Sequence, residues 1–276
     1  MSTVINAASN PALANKILEE LNNIPSDQEA VGSIPEVTIP SLPDTTVELT
    51  AGLYDPFNGN LHTTAEIREL NGFDEEAIVR ISDPGKALLA ILERATVSIG
   101  TEEATKDMLN TLLSGDREML LLAIRKATFG DELVVETVCS KCPELQTFTI
   151  DLNKDVTIKK LNDPVKDRYF TLKLKCGEVK VSLPTGDVQA KIINSSTKNS
   201  AELDTILLTS CITEIAGQPV INDDRIKNLG IKDRRAILEE IAKRNPGPQL
   251  SEIKKACASC GQEVELPVTL AELFRS

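Results

Sequence analysis

Tryptophan is absent from this chain, and histidine occurs once, at His62. Aromatic residues make up only 3% of it, too few for a platform on which bases could stack. The lone histidine stands beside the turn Asn58-Gly59-Asn60 with no serine or aspartate constellation around it, so it reads as a surface or capping residue. Positive charge is scarce as well. Thirty Lys and Arg face 42 Asp and Glu, for a net charge of −12. Such a chain repels phosphate, which argues against generic nucleic-acid binding.

Long apolar runs are also missing. None approaches the ~20 residues needed to span a bilayer. The longest, Ala87–Leu92 and Met119–Ile124, read as buried helix segments. The first residues, Met1-Ser-Thr-Val-Ile-Asn6, lack a basic segment followed by an apolar core. The expectation is therefore no secretory signal and a protein that stays in the cytoplasm where it is made. No P-loop, dinucleotide fingerprint, nucleophile elbow or His-Glu metal motif occurs. The chain is expected to be no enzyme, with no catalytic residues and no small-molecule substrate.

What the chain does have is cysteine in pairs. Cys139-Ser-Lys-Cys142 and Cys257-Ala-Ser-Cys260 are each set between strand-like segments. Two sulfurs three positions apart can face one ion across a tight turn. Four thiolates make a closed tetrahedral zinc site of the structural kind, with no position left for water or substrate. In a reducing compartment this spacing reads as metal before disulfide. Cys139, Cys142, Cys257 and Cys260 are therefore the expected ligands of one structural zinc. Two unlinked pairs, no metal, or pairs completed by another subunit are the alternatives. A redox role is disfavoured because neither pair opens a helix after a βαβ strand. Gly261 after Cys260 suits a knuckle, whereas Pro143 after Cys142 has no N–H to offer a sulfur. Cys176, before Gly177 at an expected hairpin tip, and Cys211, in an apolar helical run, read as structural.

The surroundings of the two pairs also match. Asp116-Arg117 precedes the first, followed by Leu120, Leu121 and Ile124; Asp233-Arg234 precedes the second, followed by Ile237, Leu238 and Ile241. Ile99-Gly100 and Ile215-Ala216-Gly217 lie upstream at corresponding places. The order helix, loop, helix, loop, strand, Cys-x-x-Cys, strand occurs twice, the mark of a degenerate internal duplication. The expected class is α+β, with a first repeat over 48–155 and a second over 156–276, joined by a zinc ribbon. Residues 1–47 differ. A short helix from Pro11 to Leu21 capped by Asn10 gives way to Pro25, Pro35, Pro40 and Pro43, which predicts an extended arm or linker, read either as a disordered tail or as an arm that docks on a partner.

Within the first repeat, Val47–Tyr54 predicts a strand. Thr63–Leu70 predicts a helix with a Thr cap reached by Glu66 and a stop at Gly72. Helices are expected at Ala87–Val97 and Thr101–Leu113, with Glu75-Glu76 and Glu102-Glu103 as solvated helix starts. Asp116 should cap or begin a helix buried on several sides, and its counterpart from Asp233 to Arg244 should lie at the periphery. Phe170–Leu183 alternates as a hairpin, and Pro267 makes the last strand an edge.

Gly115-Asp-Arg-Glu-Met-Leu-Leu-Leu-Ala-Ile-Arg-Lys-Ala-Thr-Phe-Gly130, followed by Cys139-x-x-Cys142, Val181-Ser-Leu-Pro-Thr-Gly186 and Cys257-x-x-Cys260, resembles the T-even-type base-plate hub assembly chaperones of tailed phages. The resemblance covers roughly residues 50–276. It implies a non-enzymatic protein of the phage tail or base plate, whose partners are other tail proteins. It would act in the host cytoplasm during assembly or sit in the virion tail. The readings that follow are an assembly factor, a permanent subunit of the virion tail tip, and, from another class, a zinc-ribbon regulator of nucleic-acid processes. The net charge disfavours the last.

Overall fold

In the computed structural model the described residues are 45–274, apart from Pro143, Lys198 and Pro267. The chain divides into two units, Met1–Ser41 and Leu42–Ser276, and all the described residues belong to the second. The expected arm and its helix at Pro11–Leu21 lie outside the described residues, except that Thr45 to Val47 open the first strand. The edge role expected of Pro267 lies outside them too.

The first half begins with β1 (Thr45–Tyr54) and β2 (Leu61–Ile67). Two helices follow, α1 (Gly72–Val79) and α2 (Pro84–Ala95), then the short strands β3 (Thr96–Ile99) and β4 (Glu102–Glu103). These strands form one antiparallel sheet in the order β1-β2-β3-β4. Helices α3 (Lys106–Thr111) and α4 (Ser114–Phe129) complete the layer. The hairpin β5 (Glu132–Val138) and β6 (Leu145–Asp151) then carries the first cysteine pair at its tip.

After the short strand β7 (Ile158–Lys159) the second half follows the same course. Strands β8 (Tyr169–Leu174) and β9 (Gly177–Ser182) lead to helices α5 (Gly186–Ile193) and α6 (Ser200–Cys211). Strands β10 (Ile212–Ile215) and β11 (Gln218–Pro219) lead to α7 (Asp223–Lys227) and α8 (Ile231–Arg244). The second sheet runs β8-β9-β10-β11, again antiparallel. Strand β12 (Gly247–Pro248) pairs with β7, and the hairpin β13 (Lys254–Ala256) and β14 (Glu263–Glu265) carries the second pair. Mixed helices and antiparallel strands make this an α+β protein.

Several helix starts follow from local chemistry. Asp83 caps α2 by accepting from Lys86 N at 3.0 Å, with Pro84 pre-set at the first helical position. Thr105 caps α3 through Met108 N. At α1, Asn71 and Asp74 form a reciprocal capping box. That box displaces the helix expected over Thr63–Leu70. Thr63 and Thr64 are β-branched, and Ala65 and Ile67 alternate inward as fully buried strand residues between β1 and β3. Gly72, expected to stop a helix, begins one. Glu102-Glu103 is likewise strand rather than helix start, because it pairs with Ser98 and Ile99.

Among the described residues, three clusters form the core. Val47, Ile67, Ile91, Leu120 and Ile124 fill the first half, and Val179, Val181, Leu208, Ile237 and Ile241 the second. Leu122, Leu133, Phe148, Ile150, Leu250, Ile253 and Val264 lie beneath both cysteine hairpins. Helix α4 thus buries Leu120 and Ile124 in one cluster and Leu122 in another, as its apolar run predicts.

Asp116 does not cap its own helix. The cap residue is Leu113, with no side-chain bond. The Asp116 carboxylate turns instead to β1, where Oδ1 accepts from Thr50 N at 2.5 Å, Thr50 Oγ1 at 2.8 Å and Ala51 N at 3.0 Å. Burial pushes its pKa up, against these bonds and the charge of Arg168. Asp233, at the matching place in α8, accepts from Cys176 N at 3.1 Å. Arg117 reaches the Leu109 carbonyl, and Arg234 the Ile226 carbonyl. Where the halves meet, Gly186 N donates to Leu112 O and Ser114 N to Pro184 O. Arg168 Nη2 donates to Ala51 O at 3.1 Å.

Candidate metal centre

Each cysteine pair continues a hairpin one rung past its last strand pair. Beyond Val138↔Leu145, Cys139 N donates to Glu144 O at 3.3 Å. Beyond Ala256↔Glu263, Cys257 N donates to Gln262 O at 2.8 Å. The first cysteine of each pair is therefore held by its ladder, facing the shared cluster, and is almost fully buried: Cys139 at 1% and Cys257 at 2% exposure. The second cysteines, Cys142 and Cys260, are partly exposed and cover the site from outside. In the second knuckle Gly261 closes the turn. Its φ is +70°, a region that favours glycine, and its N–H donates to Cys257 O at 2.8 Å.

The four sulfurs lie within 4.8 Å of one another. Cys139 Sγ stands 3.7 Å from Cys260 Sγ, and Cys142 Sγ 3.4 Å from Cys257 Sγ. These gaps are too long for disulfides, and all four cysteines are free. They suit a tetrahedron: a Zn–S length of ~2.3 Å gives a sulfur–sulfur edge of about 3.8 Å. The donor set and its spacing thus fit a four-coordinate ion with no open position. The electrostatics agree. Amides of Cys142 and Lys141 lower the Cys139 pKa to about 6, whereas hydrogen bonding to Cys260 and Cys257 pushes the Cys142 thiol up. Sulfurs this close resist ionising together unless a cation sits among them.

All four predicted ligands are brought together from hairpins more than a hundred residues apart in sequence. Cys176 and Cys211 stay out of the group. Burial pushes the Cys211 thiol up to about 12, the behaviour of an inert core residue. His62 is also elsewhere, against Gly100.

Side chains that the spacing did not reveal tie the knuckles directly to each other. Gln146 Nε2 donates to Ser259 Oγ at 2.7 Å, and Gln146 Oε1 accepts from Ala258 N at 3.1 Å. Ser259 Oγ donates to Glu144 Oε2 at 2.9 Å. Gln146 is thus bonded to two residues of the Cys257–Cys260 turn and orients that turn over the first pair. A polar residue at a strand end carries no sequence signal for such a role.

Over residues 66–275 the sequence matches a family described as T4 bacteriophage base plate protein. This chain belongs to that family. No curated protein and no solved structure matches it. Two glycine-containing segments within the matched span make close contacts in the fold. Leu183-Pro-Thr-Gly186 lies against the start of α4, where a Cβ on Gly186 would strike Arg117 Nη1 and come within 2.7 Å of Leu109 O. Gly115 lies against Pro246 and Gly247. Family membership gives a phage base-plate setting. Among the described residues no helix is long and apolar enough to cross a membrane.

Proposed function

We propose that this base-plate protein acts in assembly of the base-plate hub as a non-enzymatic scaffold whose C-terminal hairpins are stapled by one structural zinc. The observation that carries the reading is the four-sulfur group, within 4.8 Å, in a chain of the base-plate family. A closed thiolate site supplies folding energy and leaves no ligand position for chemistry. Its cost of assembly is reasonable for a protein that must hold a fixed surface towards tail partners. The residues that would hold zinc are Cys139, Cys142, Cys257 and Cys260.

The same reading takes the chain as an internal duplication, with repeats over 48–155 and 156–276. Three correspondences support it. The sheets share one strand order. They share one irregularity: Glu66↔Ser98 is followed by Ile67↔Thr96, and Lys180↔Glu214 by Val181↔Ile212, so Val97 and Thr213 are the skipped residues. They share one anchor, an Asp on the third helical residue that takes an amide of the first hairpin, Ala51 or Cys176.

Two measurements test the reading. Metal analysis of the monomeric protein should find about one zinc per chain; none sinks the staple. Mass spectrometry of purified phage particles separates the two tail roles. Absence from finished particles, with failed base plates when the gene is disrupted, fits an assembly factor. Stoichiometric presence in the tail tip makes it a permanent subunit instead.

A further inference from the structure

A cleft of about 330 Å³ opens where α4 passes the C-terminal end of α8 and the segment after it. Glu118 is the one charged residue lining it among the described residues. Around it stand Asn245, Pro246, Pro248, Gln249, Ser251 and Thr269. Glu118 is partly buried and makes no hydrogen bond or ion pair with any described residue. A desolvated carboxylate ordinarily finds N–H donors or a cation.

Here the backbone of the wall offers few donors, and the side-chain donors near by are those of Asn245, Ser251 and Thr269. Pro246 and Pro248 have no N–H. Asn245 N is committed to Ile241 O, Gln249 N to Thr157 O, and Thr269 N to Glu272 Oε2. The Gln249 side-chain amide donates to Gly247 O. Several neighbouring cations are engaged elsewhere, Lys159 with the Lys243 carbonyl among them. Arg117 bonds Leu109 O and Asn110, Arg125 bonds Gly130 O and Glu132 O, and Lys126 lies by Asp131. On α8, Arg244 bonds Glu240 at 2.6 Å. Loss of solvent accordingly pushes the Glu118 carboxyl up to about 7.

We propose that this cleft is a socket for one cationic side chain, lysine or arginine, of a protein partner. Its volume lies in the range of small-ligand sites, and it offers a negative charge beside a wall whose backbone has few free donors. A guanidinium or ammonium brings donors and charge together, which the cleft lacks. The net charge of −12 would draw a basic partner towards it. The inference does not depend on the zinc or on the stage of assembly.

The test is a carboxyl ¹³C NMR titration of the full chain. Nα-acetyl-arginine amide is the probe, and its neutral isostere Nα-acetyl-citrulline amide the control. With arginine at up to ~100 mM, enough to reveal millimolar binding, the Glu118 pKa should fall from about 7 by about one unit. Citrulline should leave it in place. Glu118→Gln removes a charge at constant shape, so it should fold, and it should weaken arginine binding about tenfold. A Glu118 titration that arginine does not move overturns the proposal, as does equal binding by E118Q. The first result needs no variant, so a misfolded mutant cannot obscure it.

Discussion

The Asp116 carboxylate accepts the backbone amide of Ala51, 65 residues away in sequence, at 3.0 Å. The same oxygen takes Thr50 N and Thr50 Oγ1, while Oδ2 has no partner. Asp116→Ala therefore strands buried donors of β1 and should cost about 3 kcal/mol. Asp116→Asn keeps an acceptor oxygen and should lose only about 1 kcal/mol. Chemical denaturation of the two variants checks the order; equal losses would show that packing, not the bonds, matters there.

Gly115→Ala should be destabilising by about 1–3 kcal/mol, although alanine is the better helix former. The added methyl would run into the Pro246 carbonyl, which is backbone and has little room to move. Gly247 on the other side has φ +109°, and a Cβ added there would lie 2.7 Å from Gly115 Cα and O. A thermal melt at or above the wild-type midpoint would show that the contact is looser than this.

Asp74 gives the fold an acid-sensitive clasp. Burial raises its pKa, but Arg68 at 2.6 Å, the Asn71 amide and Arg94 at 2.7 Å outweigh that and hold it at about 2. A carboxyl depressed in the fold stabilises above its ordinary value near 3.8 and loses that contribution as pH falls towards 2. Both arginines are partly exposed, so Asp74→Asn should cost about 1–2 kcal/mol at pH 7. The gap between wild type and variant should close between about pH 4 and pH 2. Denaturant midpoints across that range decide it.

Chelation, or Cys257→Ser alone, should loosen both cysteine hairpins, because zinc of this kind contributes on the order of 10 kcal/mol. Amide exchange should quicken together in β5–β6 and β13–β14, which share the cluster of Phe148, Ile150 and Val264. Exchange that changes only in the second hairpin would mean that the pairs do not share an ion.

The cysteine pairs were legible because three-residue spacing is local, and the Asp-Arg pairs because each sits at a fixed place in its helix. Thr63–Leu70 reads as a helix in sequence, yet Thr and Glu at capping spacing also suit a strand. Only the neighbours β1 and β3 decide which face Ala65 and Ile67 take. Gln146 and Glu118 were invisible for a related reason. Their surroundings come from residues 258–259 and 245–269, and no local pattern announces a partner more than a hundred positions away.

Cys142 and Cys257 meet at 3.4 Å across 115 positions of chain. A ribosome adding about 5–20 residues per second takes roughly 6–23 s to make that stretch. For this interval the first pair of sulfurs has no second pair beside it. Under the proposed staple, a newly made chain passes through a window in which Cys139 and Cys142 are open to oxidation or to a foreign thiol, until the second hairpin arrives. Oxidative stress should therefore injure chains in synthesis far more than finished ones.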